Sequence, residues 1–392
     1  MKGKDRMTEK RLESAEFALP GHPDKLCDAA LDKFIGRCAP QDQCGLEMAC
    51  VFNRVFITGR IAWYHGEDRP AGRAPEFDET RDTPSILAAL EDAVRQTYRE
   101  AGYGVDAAGH RWDPLPENLR IDTALCLGGF APEEWENRPY ADDQAICIGY
   151  ACQGPETGYL PPAHWLARRI GRQIYRLREQ KGAGQAGPDG KVLVTVERKG
   201  QEWQPVEVSV SLHHHQASDW LFLRRLIEQA VAEACRGKTQ PRIVFNGAGM
   251  FLAGGPMGDN GLSGKKLVVD AYGPTVPIGG GAWSGKDFMK VDRIGGQLAR
   301  ELALRILQEK GCSECQVTLR YYPGDSEPRI VAVLLDSKQV NFLGIKSLNN
   351  IEMGTMSLWR RYRLQLPLNR TLNLEELARW GHQREGMPWE KR

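Results

Sequence analysis

Apolar residues recur at helical spacing in four long stretches of the chain, and this pattern predicts helices at residues 85–101, 163–180, 219–236 and 294–310. A shorter helix is predicted at residues 23–35, because Pro23 follows a Pro-Gly turn and suits the first helical position. Apolar and alternating runs predict strands at residues 47–52, 55–62, 121–130, 191–198, 206–212, 315–321 and 329–335.

The order of these elements predicts an α+β fold. Strands are followed by a long helix without strict alternation, which favours helices covering one face of mostly antiparallel sheets. The recurrence of long helices indicates repeated units, although these stretches share too little sequence to prove a repeat. Residues rich in glycine, proline and charge predict loops at 65–83 and 104–118. The tail beyond residue 340 is harder to assign.

Composition narrows the class of protein. The chain has 392 residues, 41% of them hydrophobic, which is enough for two or three domains. Its 52 Lys and Arg residues balance 51 Asp and Glu residues, so a net charge of +1 gives no electrostatic case for nucleic acid or an acidic membrane surface. The charged N-terminus lacks the apolar core of a signal peptide, and no apolar run reaches the length of a membrane span. We therefore expect a cytoplasmic protein.

The ten cysteines are scattered along the chain. Only Cys312 and Cys315 have the Cys-x-x-Cys spacing, and a structural zinc site needs a second such pair. Free thiols in a reducing compartment are therefore expected.

Residues 254–293 carry the densest concentration of chemically active side chains. Glycines are interspersed there with four lysines and three aspartates: Lys265, Lys266, Lys286, Lys290, Asp259, Asp270 and Asp292. Glycine lets the backbone approach a ligand closely, clustered lysines suit a polyphosphate, and aspartates suit the divalent ion that accompanies it. The segment therefore predicts a protein that handles a nucleotide.

Two shorter motifs bear on that prediction. Residues 280–286 fit the start of a P-loop, but Asp287 stands where a hydroxyl should reach magnesium and no clear strand precedes them. A phosphate or capping loop outside the P-loop class is the alternative. Residues 21–25, Gly-His-Pro-Asp-Lys, open the first helix, whose N-terminus suits phosphate. His22 and Lys25 would donate to a leaving triphosphate and Asp24 would hold Mg²⁺; alternatively, Asp24 only complements the helix dipole.

These motifs stand in a fixed order with two further stretches, Asp142-Asp143-Gln144 before Gly149-Tyr150-Ala151, and a closing Gly381-His382 segment that ends in Pro388-Trp389-Glu390. In this order they closely resemble the methionine adenosyltransferase (S-adenosylmethionine synthetase) family. The resemblance is strongest over residues 246–300, where the block at 279–287 is highly specific.

The resemblance implies an enzyme that forms S-adenosylmethionine from ATP and L-methionine and releases phosphate and pyrophosphate. Methionine sulfur would displace the whole triphosphate from ribose C5′, so lysines, two Mg²⁺ ions and an activating K⁺ would stabilise the site. By position, the catalytic residues would be His22, Lys25, Lys265, Lys286 and Lys290. ATP and substrate would be bound by Asp143, Asp189, Lys191, Asp259, Lys266 and the residue at Arg60. Asp24 and Asp292 would ligate Mg²⁺, and Glu47, at the start of its strand, would ligate K⁺.

The resemblance also implies three similar α+β domains around a pseudo-threefold axis, at residues 12–111, 120–245 and 246–392. Two subunits would pack sheet to sheet as a homodimer, or as a dimer of dimers, with shared active sites. The glycine-rich loop of one subunit would serve its partner's site.

Three departures from the family pattern keep other functions open. Lys265 replaces an arginine, Arg60 replaces a glutamate that contacts methionine, and residues 128–132 stand where a Gln-Ser-Pro-Asp loop is expected. One alternative is an enzyme of the same fold that uses another acceptor or only hydrolyses the triphosphate. Another is a catalytically silent, nucleotide-binding regulatory subunit, although the retention of both magnesium aspartates argues against it.

Overall fold

A computed structural model describes residues 10–38, 42–63, 76–349, 351–365 and 373–391. The strands are β1 Arg11–Ala18, β2 Gln43–Val51, β3 Arg54–Trp63, β4 Gly104–Val105, β5 Arg111–Trp112, β6 Arg120–Gly129, β7 Ala145–Cys152, β8 Ala186–Lys199, β9 Glu202–His214, β10 Arg242–Phe245, β11 Gly261–Leu262, β12 Glu314–Tyr321, β13 Arg329–Leu335 and β14 Lys338–Gln339. The helices are α1 Pro23–Ile35, α2 Glu79–Ala101, α3 Pro132–Asn137, α4 Pro162–Leu177, α5 Trp220–Ala234, α6 Leu267–Asp270, α7 Val291–Lys310, α8 Thr355–Leu364 and α9 Leu374–Trp380.

The described chain builds three four-stranded sheets. The first sheet has the order β1-β8-β9-β10, the second β11-β2-β3-β6 and the third β14-β13-β12-β7. Most neighbouring strands are antiparallel, and the pairs β9–β10 and β3–β6 are parallel. Helices α4 and α5 pack on the first sheet, α1 and α2 on the second and α7 on the third, with α8 packed on α7. The predicted α+β fold is therefore confirmed, with one sheet and one helix pair in each unit.

Several strands pair in the sheet of a unit other than the one formed by their neighbours in sequence. Strand β1 pairs with β8 of the central region, whereas β6 and β7, which flank α3, enter the second and third sheets. Strand β11 returns from the glycine-rich segment to pair with β2. The domain ranges 12–111, 120–245 and 246–392 remain a prediction, and each range contributes at least one strand to the sheet of another.

Burial follows the periodicity of the sequence. In β2 and β3, every second residue is buried against α1 and α2, and the alternate residues lie on an outer face. Helix α5 buries the apolar stripe that its sequence pattern predicts. Helix α7 is buried on nearly all sides, because it packs on β7 and β12 as well as on α8. The core is therefore continuous from the second to the third sheet.

The predicted loops differ most from the structure. Residues 64–75 lie outside the described residues, but α2 begins at Glu79 and not near residue 85, because the Asp78 side chain accepts from the Arg81 N–H and caps the helix. The stretch 104–118 contains the short pair β4–β5. The tail beyond residue 340 forms α8 and α9. No helix among the described residues is both long and apolar enough to cross a membrane.

Candidate active site

The N-terminus of α1 holds a buried, neutral histidine. His22 is the N-cap of the helix, and its Nδ1 accepts a hydrogen bond of 3.2 Å from the Asp24 N–H. Burial, together with the nearby charges of Lys191 and Lys266, lowers the pKa of His22 to about 3. Because Nδ1 is the acceptor, the neutral ring carries its proton on Nε2 and can donate from there.

Three aspartates of helix α1 accept hydrogen bonds from the backbone of both glycine-rich loops, the first at residues 254–266 and the second at residues 279–287. Asp24 accepts from the Leu262 N–H at 2.9 Å, Asp28 from the Gly264 N–H at 2.7 Å, and Asp32 from the Gly285 N–H at 3.0 Å. These aspartates recur every four residues, so they share one helix face. The family resemblance pointed to Asp24 alone. The spacing is the signal that could have found the other two.

Lys265 and Lys266 meet Asp24 at the first loop. The Lys266 ammonium lies 3.0 Å from the Asp24 carboxylate and the Lys265 ammonium lies 3.9 Å from it, with 48% of the Lys265 side chain exposed. Burial alone would raise the pKa of Asp24, but the Leu262 N–H and Lys266 hold that pKa below its usual value. The carboxylate is therefore charged at neutral pH and lies beside two cations, of which Lys265 faces the solvent and Lys266 is mostly buried.

The environment of Lys25 differs from the one expected for a phosphate ligand. Its side chain is fully buried, and its ammonium donates to Asp270 at 2.5 Å. Burial acts to lower the pKa of Lys25, but Asp270 and Asp28 keep it above its usual value. The expectation that Lys25 donates directly to a polyphosphate does not match this position, because the ammonium lies beneath the surface in an ion pair.

Three further predicted residues lie close to His22. Lys191 and Asp259 both act on the pKa of His22, and both side chains are exposed. Asp189 is buried and accepts from the Gly255 N–H at 2.7 Å; burial raises its pKa to about 6. Asp189 therefore fixes the start of the first glycine-rich loop, beside Lys191 and Asp259.

The second group of predicted residues surrounds the start of α7. The Lys286 ammonium donates to the Asp292 carboxylate at 2.5 Å. Lys290 pairs with Asp142, and the neighbouring Asp143 is exposed. Each lysine of this group thus stands beside a carboxylate, as Lys266 does beside Asp24.

Asp287 has a structural role. Its carboxylate accepts from the Cys44 N–H at 2.9 Å and from Arg138 at 2.8 Å, and it is buried. A carboxylate held in this way cannot take the place of a P-loop hydroxyl on magnesium. The loop at residues 280–287 therefore belongs to the non-P-loop alternative.

A cleft of about 380 Å³ brings the two groups together, because Lys265, Lys286 and Glu47 all line it. Glu47 is exposed in the middle of β2 and not at the strand's start, since β2 begins at Gln43. Arg60, on the neighbouring strand, pairs with Glu134 of α3. No sequence motif indicated Glu134 as a site residue.

For a metal ion, the described residues offer single carboxylates. No group of three or more His, Cys, Asp or Glu side chains is arranged to hold an ion within the described ranges. Mg²⁺ commonly takes only one or two protein carboxylates and completes its shell with phosphate oxygens and water. The separate carboxylates of Asp24 and Asp292, each beside a lysine, fit that donor set. All ten cysteines are free, as expected.

The glycine-rich loops and the N-terminus of α1 thus bring lysines and aspartates together, an arrangement suited to a polyphosphate. The family models "S-adenosylmethionine synthetase, C-terminal domain" and "S-adenosylmethionine synthetase, central domain" match residues 253–391 and 139–251. The chain belongs to the S-adenosylmethionine synthetase family.

Individual members of the family are similar to this protein over most of its length. S-adenosylmethionine synthase 1 of Rhodopseudomonas palustris is 32% identical over 82% of this chain and 80% of its own length. The S-adenosylmethionine synthase of a Bradyrhizobium species is 31% identical over 97% and 96%. A solved structure of an unusual S-adenosylmethionine synthetase from Campylobacter jejuni superposes with a TM-score of 0.80 at 25% identity, covering 97% of this chain and 96% of the other.

Proposed function

We propose that the protein is a methionine adenosyltransferase that forms S-adenosylmethionine from ATP and L-methionine and releases phosphate and pyrophosphate. The observation that carries this function is the neutral His22 at the N-terminus of α1, beside the Asp24–Lys266 pair. Displacement of a triphosphate needs a hydrogen-bond donor at the leaving oxygen and positive charge along the phosphates. The site supplies both.

His22 is the donor to the oxygen that leaves C5′. With Nδ1 held by the Asp24 N–H, Nε2–H is free to point at the leaving oxygen. A pKa of about 3 keeps the ring neutral throughout the physiological range. His22 therefore stabilises the leaving oxygen by hydrogen bonding and does not transfer a proton to it as an imidazolium.

Lys265, Lys266, Lys286 and Lys290 carry the positive charge. Their ammonium groups lie beside aspartates, and α1 fixes the backbone of the glycine-rich loops, so only the lysine side chains need to turn when phosphates bind. Asp143, Asp189, Lys191 and Asp259 would contact the nucleoside and methionine.

Asp24 and Asp292 would hold Mg²⁺, two ions per site, and Glu47 would hold K⁺ from the floor of the cleft. When bound, Mg²⁺ neutralises phosphate oxygens and stabilises the leaving triphosphate. Lys266 and Lys286 are the side chains that would release these aspartates to the metal and turn to the phosphates.

A homodimer with shared active sites completes the proposal, and a dimer of dimers is compatible with it. The outer face of the second sheet carries Phe56, Glu47 and Arg60, all exposed in the single chain. A second copy packed on this face would border the cleft. The three domain ranges given above are proposed as the repeated units of each subunit.

The test is incubation with ATP, Mg²⁺, K⁺ and methionine, following adenosylmethionine and phosphate together. Equal formation of adenosylmethionine and phosphate is expected. Arg60 motivates a second candidate, the same displacement with a different acceptor or plain hydrolysis. Steady phosphate release without adenosylmethionine would replace the first candidate by the second. ATP binding without either product would indicate the silent regulatory subunit.

A further inference from the structure

Helix α4 carries a row of basic side chains that runs from the interior of the protein to its surface. His164, Arg168 and Arg172 recur every four residues and therefore share one face of the helix; we call these three residues the α4 row. His164 is 1% exposed and Arg168 is 8% exposed, whereas Arg172 is half-buried. One turn further on, Arg176 is exposed and pairs with Glu233 of α5. The α4 row therefore reaches solvent at Arg172.

Helix α9 and the segment after it pack against the α4 row. The Arg168 guanidinium donates to the Gln383 carbonyl at 2.9 Å. The Arg172 guanidinium lies 5.3 Å from the centre of the Trp380 ring. Arg384, in the same segment, is close enough for its charge to act on the pKa of both arginines. Three guanidinium groups are thus gathered where α4 meets the C-terminal segment.

The carboxylates near these arginines already have other partners. Glu390 accepts from two nitrogens of Arg300, at 2.9 and 2.8 Å. Glu376 pairs with Arg384 at 3.1 Å. Neither arginine of the α4 row forms an ion pair with a carboxylate in the part of the chain that the structure describes. The place therefore has more positive charge than its own carboxylates balance.

The crowding of these cations lowers their pKa values. Burial and the charge of Arg172 lower the pKa of Arg168 to about 9, and burial and the charge of Arg384 lower the pKa of Arg172 to about 10. Both guanidinium groups still carry their charge at neutral pH, and a buried charge without a counterion is costly. The hydrogen bond from Arg168 to a carbonyl could be made by a neutral donor as well. The charge of Arg168 therefore needs an explanation beyond the packing of the C-terminal segment.

The inner end of the α4 row offers a second, independent group. Both ring nitrogens of His164 are buried, and neither makes a hydrogen bond to any of the described residues. Burial, followed by the charges of Arg168 and Arg300, lowers the pKa of His164 to about 3. The ring is therefore neutral and keeps one N–H donor. A buried donor without an acceptor, next to this surplus of positive charge, points to a ligand that carries several negative oxygens.

We propose that the α4 row and Arg384 bind a small inorganic oxyanion of the phosphate class, with Arg168 and Arg172 as its main ligands and His164 as a donor at its inner end. Guanidinium presents its N–H groups in a fork that matches phosphate oxygens. Neighbouring members of the row have Cβ atoms about 5–6 Å apart, so pyrophosphate, with oxygens at both ends, should bind more tightly than phosphate. None of these residues lines the cleft between the lysines, and the inference does not depend on the proposed function.

The experiment is isothermal titration calorimetry of the full-length protein with phosphate and with pyrophosphate, in the absence of Mg²⁺. Arg168→Gln and Arg172→Gln should each weaken pyrophosphate binding at least tenfold. Arg176→Gln is the matched control, because it removes the same charge one turn further along α4, and it should keep the affinity within twofold of the wild type. Lys286→Ala, which removes a cation from the cleft, should leave one pyrophosphate bound per chain.

The variants separate this site from the cleft and from a general effect of charge. Pyrophosphate binding that is lost in Lys286→Ala but kept in both α4 variants would place the anion in the cleft and overturn the inference. An equal loss in Arg176→Gln would reduce the effect to net charge. No binding by the wild type would mean that water alone satisfies these groups. Because Arg172 is half-buried, Arg172→Gln keeps the test decisive even where Arg168→Gln does not fold.

Discussion

The two halves of the proposed site are built in different ways. In the phosphate half, buried aspartates of α1 hold the backbone of both glycine-rich loops, so the lysines are carried on fixed supports. In the acceptor half, Arg60 and Glu134 hold each other across an exposed surface. The first half is preorganised, as stabilisation of a highly charged leaving group requires. The second can change partners at little cost, which suits recognition of a ligand.

The largest loss of stability is expected at the base of the phosphate half. Asp32 pairs with Arg293, and both side chains are fully buried. Asp32→Asn leaves a buried guanidinium without its counterion, and should lower the free energy of unfolding by about 3–5 kcal/mol. Urea unfolding would measure this. The control is Asp92→Asn, which breaks an exposed pair with Arg37 and should cost less than about 1 kcal/mol. Equal losses in the two variants would show that the buried Asp32–Arg293 pair does not anchor the phosphate half.

Lys286 tests the charge that the phosphate half supplies. Lys286→Ala removes a cation from the cleft, and kcat should fall by roughly 10²–10³-fold, as when one preorganised donor to a developing anion is lost. Lys338→Ala removes an exposed lysine outside the site and should keep full activity. Single-turnover rates together with circular dichroism would distinguish lost catalysis from lost folding. A kcat near that of the wild type would mean that the phosphate site lies elsewhere.

Two adjacent glycines test the fit of the loop. A Cβ at Gly281 would collide with the Asp292 carboxylate, whereas a Cβ at Gly280 would meet nothing within 4 Å. Gly281→Ala should therefore displace Asp292, raise the Mg²⁺ concentration needed for half-maximal rate, and reduce kcat by about 10²-fold. Gly280→Ala should keep most of its activity. Mg²⁺ titrations of the rate would be measured for both variants. Equal Mg²⁺ requirements would contradict the expected displacement of Asp292 by Gly281→Ala.

Asp28 gives the phosphate half a dependence on pH. Burial, followed by the charge of Asp270, raises the pKa of Asp28 to about 8 in the folded protein. From about pH 4 to 8 the folded state holds a proton that the unfolded chain releases, so stability falls as pH rises, by roughly 1 kcal/mol per pH unit. Asp28→Asn should lose less stability between pH 5 and 7 than the wild type. Parallel slopes in urea unfolding would show that Asp28 does not titrate in this window.

The features of the fold that could be predicted are those that depend on residues close together in the sequence. The boundaries of α1 and the existence of the strand pair β2–β3 followed from spacing within a dozen residues, and the structure confirms both, although β2 begins four residues earlier than predicted, at Gln43. The exchange of strands between units did not follow, because partners such as β1 and β8 lie far apart along the chain. A hydrophobic pattern indicates which face of a helix or strand is buried, but it does not indicate which other element covers that face.

The same limit applies to the site. The motif at residues 21–25 pointed to Lys25 as a phosphate ligand, but its partner Asp270 is 245 positions away, and only the fold brings the two together. Glu134 was missed for the same reason, since nothing near α3 in sequence indicates Arg60. Residues that act through distant partners are therefore the ones that sequence analysis places least well.

The smallest effect on stability is expected in the acceptor half. Breaking the exposed pair by Arg60→Gln or Glu134→Gln should change the free energy of unfolding by less than about 1 kcal/mol, because solvent screens both charges and their side chains regain freedom. Urea unfolding at low and at high salt would measure it, and the difference between wild type and variants should shrink as salt is added. A loss as large as that of Asp32→Asn would make the pair an anchor like those of α1. The contrast between a fixed phosphate half and an adaptable acceptor half would then be lost.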